Sequence, residues 1–186
     1  MSFNWSSIRN NIKEKSNNGN IVIAVSGGVD SMFLLDFVKK GIDNKKLIVA
    51  HFNHKIRDES DDDEKLVLSK SKSLKTVVSY GIGLKDSKNM ELKAREQRWA
   101  FLEKVAKNYN SNIVLTAHHL NDYVENYLMG TIRGIDIMSC IMPQSPVING
   151  IIRYKPFLKL VSEQNILDIS KKRKLSWHED STNDDV

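Results

Sequence analysis

Apolar, β-branched runs alternate with helix-patterned segments along this 186-residue chain. That order predicts an α/β fold: a parallel, doubly wound sheet of about five strands with helices on both faces. Two further observations agree. The first strand run breaks into Ser-Gly-Gly and restarts at once as a helix, and the other polar clusters also follow predicted strands, where open α/β sheets hold their ligands.

Strands are expected at Ile21–Val25, Leu47–Phe52, Thr76–Tyr80 and Asn112–Thr116, with a weaker one at Ile151–Tyr154. Helices are expected at Ser31–Lys40, Asp61–Ser73, Glu91–Tyr109, Asn121–Ile132 and Val161–Lys174. The acidic run Asp58–Glu64 suits the positive N-terminal end of a helix better than a metal. Residues Gly134–Gly150 lack periodicity, contain Pro143 and Pro146, and read as a long functional loop.

The segment Ser26-Gly27-Gly28-Val29-Asp30-Ser31 carries the most chemistry. A strand that turns on two glycines into a helix leaves backbone N–H groups free at the helix start, where amides and dipole together hold an anion. Ser26 and Ser31 add hydroxyls, and the glycines let backbone approach phosphate oxygens. Asp30 would repel phosphate by its own charge, so it makes sense as a Mg²⁺ ligand. No lysine follows the glycines, which sets the loop apart from the Walker type that grips outer phosphates.

Composition narrows the class. A chain with 40% hydrophobic residues can bury one well-formed core, so residues 1–186 are read as a single domain. No run approaches the roughly 20 apolar residues of a membrane span, and Met1–Asn20 lacks a signal-peptide apolar segment. The single Cys140 excludes an intramolecular disulfide and a cysteine-rich metal cluster within this chain, and suits a reducing cytoplasm. The 28 Lys plus Arg against 23 Asp plus Glu give a net charge of +5, which is compatible with a nucleic-acid partner without requiring one.

Three more clusters follow. After the second strand, His51, His54 and Arg57 stand at the site-facing end, where they would contact a ligand or supply polar groups to a reaction; the histidines are either ligand contacts or turn residues bonded to backbone, and Arg57 is the stronger binding candidate. In Glu91–Tyr109, Arg95 shares a stripe with Leu92, Trp99 and Leu102, so it is expected to face inward and to meet either phosphate or an internal carboxylate. After the fourth strand, a continuing strand would turn His118 and His119 to opposite sides, leaving one of them at the site. Asp122, Glu125, Met129 and Arg133 then share one helix stripe, able to bind Mg²⁺ or an amine, or to form a solvent-facing salt bridge.

The Ser26–Ser31 motif resembles the PP-loop of the N-type ATP pyrophosphatases, whose fold is adenine nucleotide alpha hydrolase-like. That resemblance implies cleavage of ATP between the α and β phosphates. Further stretches resemble the catalytic domain of the tRNA(Ile)-lysidine synthetase family: His51–Arg57 with Glu59-Ser60, Ala94-Arg95 with Arg98-Trp99, Leu115–Glu125 with Arg133-Gly134, Met142-Pro143, Ile152-Arg153 with Pro156-Phe157-Leu158, and Trp177–Asn183. They run through nearly the whole chain in the family's order. The resemblance implies adenylation of carbon 2 of the wobble cytidine in tRNA(Ile) with a CAU anticodon, then displacement of AMP by free L-lysine.

It implies ATP contacts at Ser26, Gly27, Gly28, Val29, Asp30, Ser31 and His51, with Mg²⁺ at Asp30. Catalytic roles are implied for Asp30, Arg95, His119, Asp122, Glu125 and Arg133, and substrate or tRNA contacts for Arg57 and Arg98. In the family an Arg-rich helix and tRNA-binding domains follow the Trp177–Asn183 segment, and these are expected to be absent from residues 1–186. A compact enzyme, a split one completed by a separate C-terminal domain, and a relative with a changed substrate stay open, as does a homodimer. Thiolation of tRNA on the same scaffold generally needs paired cysteines. Amidation of the NAD or GMP synthetase kind leaves the Leu115–Glu125 and Trp177–Asn183 stretches unexplained.

Overall fold

The computed structural model describes residues 3–56, 60–85, 89–134, 142–145 and 147–179, with the Arg133 side chain excepted. Arg57, Cys140, Pro146 and residues 180–183, all singled out above, lie outside the described residues.

The order is α1 (Trp5–Lys15), β1 (Ile21–Ala24), α2 (Val29–Lys39), a 3-10 turn at Asn44–Lys46, β2 (Leu47–Asn53), α3 (Ser60–Lys70), β3 (Lys75–Tyr80), α4 (Met90–Asn108), β4 (Ile113–Leu115), α5 (Leu120–Arg133), β5 (Ile152–Tyr154) and α6 (Glu163–Lys172). Among the described residues the strands form one five-stranded sheet in the order β3-β2-β1-β4-β5, and these strands pair with one another in parallel. The expected doubly wound α/β architecture is therefore the one observed. Among the described residues no helix is long and apolar enough to cross a membrane.

Strand β1 explains the layering. Ile21, Ile23 and Val25 alternate with Val22 and Ala24, so the two sets face opposite sides of the sheet, and all five are buried. The first set joins the larger core, formed with Ile8 and Ile12 of α1, Phe33 and Phe37 of α2, Val67 of α3, Phe157, and Ile166 of α6. The second meets Leu102, Val105 and Ala106 of α4. Three phenylalanines, Phe33, Phe37 and Phe157, are fully buried with ring centroids 5.4 to 6.4 Å apart. Such offset and edge contacts add to the area they bury.

Two sequence expectations change here. Helix α1 was not expected: its apolar residues are sparse, yet Trp5, Ile8 and Ile12 share one face, and the Asn4 side chain caps the start by accepting from the Ser7 N–H. The fourth strand stops at Leu115, before Thr116. Helix α5 is exposed along most of its length, with Val124, Tyr127, Leu128, Met129 and Ile132 open to solvent.

The sheet order creates the site. From β1 the chain moves outward through β2 and β3, then returns to place β4 on the other flank of β1. The crevice between the carboxyl ends of β1 and β4 is the topological switch point, where open α/β sheets bind ligands.

Truncating Phe157 to Ala should cost about 3–5 kcal/mol of unfolding free energy, because the ring is fully buried between two others. Urea denaturation followed by circular dichroism measures it.

Candidate active site

The loop after β1 is braced by one hydroxyl. Ser31 Oγ accepts hydrogen bonds from the backbone N–H of Ser26 (3.1 Å) and Gly27 (3.2 Å), lies 3.1 Å from Ser26 Oγ, and donates to the Gly28 carbonyl (2.9 Å). Ser31 was expected to offer its hydroxyl to an anion; it is buried and spends that proton inside the loop instead. Gly27 has φ +112°, a region that only glycine occupies cheaply, and a Cβ there would stand 3.0 Å from Asp63.

Gly28 is the N-cap of α2 and supplies no side-chain cap. The first amides of α2 are thus left for a ligand. They open on a cavity of about 190 Å³ at the switch point. One wall is the loop, through Ser26, Gly28, Asp30 and Ser31; the other is Ala117, His118 and Asp122 from beyond β4, with Arg98 of α4 closing the side.

Both histidines reach this region, contrary to the strand-based expectation. Because β4 ends at Leu115, His118 and His119 lie beyond the strand and its alternation no longer sorts them. His118 lines the cavity, with Nδ1 2.9 Å from Thr116 Oγ1. His119 is buried between two carboxylates, with Nε2 3.7 Å from Asp30 Oδ1 and Nδ1 3.2 Å from Asp122 Oδ2. The same Asp122 oxygen accepts the His119 backbone N–H at 2.7 Å, which caps α5 and fixes the carboxylate.

These environments separate the two rings. Burial pushes the His118 pKa down to about 4; Asp122 pulls it upward, while Lys155, Arg98 and His119 add to the lowering. Burial also opposes a proton on His119, but Asp30, Asp122 and Glu163 outweigh it, and its pKa lies above the ordinary imidazole value. At neutral pH His118 is uncharged and able to accept a hydrogen bond.

The arginines exchange roles. Arg95, expected inward, is exposed, as is Leu92 of the same supposed stripe. The buried face of α4 runs through Ala94, Leu102, Val105 and Ala106, and it carries Arg98 to the cavity. Burial and the nearby Arg95 charge lower the Arg98 pKa, but a guanidinium keeps its charge at neutral pH. Arg98 has no ion pair or hydrogen bond with any described residue.

Other candidates fall away from the cavity. Glu125 is exposed on α5 and is not part of the lining. His51, expected at the nucleotide, is buried beneath the loop instead, with Nδ1 2.8 Å from the Val25 carbonyl. Burial lowers its pKa, against the raising influence of the Val25 hydrogen bond, Glu64 and Asp63. A neutral ring donating from Nδ1 steadies the stem of the loop. Arg133 ends α5, and Val29 is its counterpart at the start of α2, first in the helix that faces the cavity.

Asp30 fits a hard cation. Its Oδ1 is buried without a hydrogen-bond partner, and Asp122 shares the cavity. Among the described residues no group of three ligating side chains forms a closed metal site. Mg²⁺ does not need one, since it is usually held by one or two carboxylates together with phosphate oxygens and water.

The family profile described as the PP-loop domain matches residues 4–186. Relatives named tRNA(Ile)-lysidine synthase include one from Lactobacillus johnsonii, 35% identical over 94% of this chain and 41% of its own length. Another, from Mycoplasma mycoides, is 35% identical over 89% of this chain and 42% of its own, and one from Streptococcus pyogenes is 36% identical over 93% and 42%. The chain thus spans less than half the length of these relatives. Among solved structures, the U34-tRNA thiolase NcsA of Methanococcus maripaludis superposes with a TM-score of 0.75 at 18% identity, over 94% of this chain and 65% of that one. The NH3-dependent NAD synthetase of Campylobacter jejuni superposes at 0.60 and 17% identity, over 94% and 75%. At such identities the two structures speak for the fold.

The His118 imidazole should not titrate between pH 5.5 and 8 in ¹⁵N-edited NMR of the ring nitrogens. A midpoint above 6 would contradict the burial that governs it.

Proposed function

This chain belongs to the PP-loop domain family, and from that premise we propose that it carries the ATP-cleaving, adenylating centre of a tRNA(Ile)-lysidine-forming ligase. The observation that carries this reading is the cavity itself: uncapped α2 amides and Asp30 on the loop wall, Asp122 across from them with His119 between the two carboxylates, and Arg98, unpaired among the described residues, closing the side. The amides and Arg98 suit a polyphosphate; the carboxylates suit a magnesium ion and an amine.

In the proposed reaction, the carbon-2 carbonyl oxygen of the wobble cytidine in tRNA(Ile) with a CAU anticodon attacks the α-phosphorus of ATP. The bond to the bridging oxygen breaks and pyrophosphate leaves. The α2 amides hold the departing group, and Arg98 stabilises charge on the α-phosphoryl oxygens. Mg²⁺, held by Asp30, supplies further neutralisation of the phosphates when bound. The amine of free L-lysine then attacks carbon 2 and AMP leaves. Asp122 orients the amine, and the proton released passes to the Asp122–His119 pair.

The remaining roles rest on the family resemblance. Glu125, exposed on α5, together with Arg57, Arg95 and Arg133, would meet tRNA or the rest of the enzyme. The whole reading fits a cytoplasmic protein. A second reading follows from the chain's share of its relatives' length: residues 1–186 bind ATP and turn over only with a separate C-terminal domain, or as a homodimer.

AMP should form only when lysine and CAU-anticodon tRNA(Ile) are both present, with ¹⁴C-lysine entering the tRNA; with tRNA but without lysine, pyrophosphate release should stop after a single turnover. AMP formation restored by adding the C-terminal half of a relative would favour the second reading. Bound Mg·ATP with no lysine transfer under either condition refutes the ligase. Arg98→Ala should lower AMP formation by about 10²–10³-fold, whereas Arg95→Ala should stay within about threefold, in keeping with its exposure.

A further inference from the structure

The segment after α6 returns across the molecule to the phosphate loop. Leu175 and Trp177 pack against the larger core, and the next residue is tied twice. Its backbone N–H donates to the Gly27 carbonyl at 3.2 Å, and His178 Nδ1 lies 2.9 Å from Asp63 Oδ1. Asp63 in turn stands against the Gly27 α-carbon, close enough that any Cβ there would press on it. Asp63 is mostly buried and His178 half-exposed.

This geometry controls one peptide group. In a planar trans peptide the carbonyl and the following N–H point in opposite directions. With the Gly27 carbonyl drawn towards His178, the Gly28 N–H is turned to the other side, and Gly28 lines the cavity there. No described residue accepts a hydrogen bond from that N–H. Gly27, lacking a side chain and at positive φ, has little of its own to prevent this peptide from flipping.

We propose that Asp63 and His178 are positioning residues that clasp the Gly27–Gly28 peptide and hold the Gly28 amide towards the phosphates. The clasp rests on the reading that this loop receives the pyrophosphate portion of ATP. It acts on phosphate affinity and leaves recognition of the nucleoside unchanged, because it touches only the loop.

Calorimetry on the full chain tests it with three probes: Mg·ATP, magnesium pyrophosphate and adenosine. His178→Ala should weaken Mg·ATP and pyrophosphate by about five- to tenfold, as expected for a half-exposed hydrogen bond to a carboxylate. Adenosine binding should be unchanged. His178→Asn keeps a donor near the Nδ1 position and should restore phosphate affinity to within about twofold. Unchanged phosphate affinity in His178→Ala, a parallel fall in adenosine affinity, or failure of the Asn variant to restore binding overturns the clasp alone. A wild-type chain that binds no Mg·ATP overturns the nucleotide reading and removes the positioning role with it.

Discussion

The start of α2 sets the terms for everything around it. A helix whose first amides lack a side-chain cap keeps a concentration of partial positive charge at its end. Here that end faces a crevice in place of open water. The protein spends several residues on keeping it bare. Ser31 closes the loop from within, His51 holds Val25 from below, and the His178 backbone draws Gly27 aside. Each satisfies a polar group of the loop other than those the helix start presents.

Negative charge stands on both walls, Asp30 in the first turn of α2 and Asp122 across from it. Asp30 and Asp122 are kept apart by the His119 ring, which touches both and keeps its proton more readily than a free imidazole. Two carboxylates in one cavity would otherwise repel each other. His118, one residue away, is driven to the opposite protonation preference by burial and positive neighbours. Adjacent histidines of opposite character thus set an imidazole that favours its proton between the two carboxylates and an uncharged one on the cavity wall.

Much of this was legible in the residues, and the failures have physical causes. The β1 run and its Ser-Gly-Gly break announce a strand, a turn and a helix through local chemistry alone, and the loop is where that chemistry puts it. Arg95 was assigned the place that Arg98 holds because a stripe of large apolar residues, Leu92, Trp99 and Leu102, outweighs Ala94 in a hydrophobic count. Ala94 is buried because it is small enough for close packing, and Leu92 is exposed. Alternation sorts His118 and His119 to opposite sides only while the strand lasts, and the strand ends at Leu115. The His178–Asp63 contact joins positions 115 residues apart, and no local pattern encodes such a pairing.

The central position of β1 also shapes the molecule's birth. Synthesis delivers β1, β2 and β3 first, and they can pair in that order. But β1 lacks its other neighbour until Val114 and Leu115 emerge. At ribosomal speeds of about 5–20 residues per second, the innermost strand therefore spends several seconds as a bare apolar edge. The nascent half-sheet is most vulnerable to aggregation along the very line where the finished protein opens its crevice.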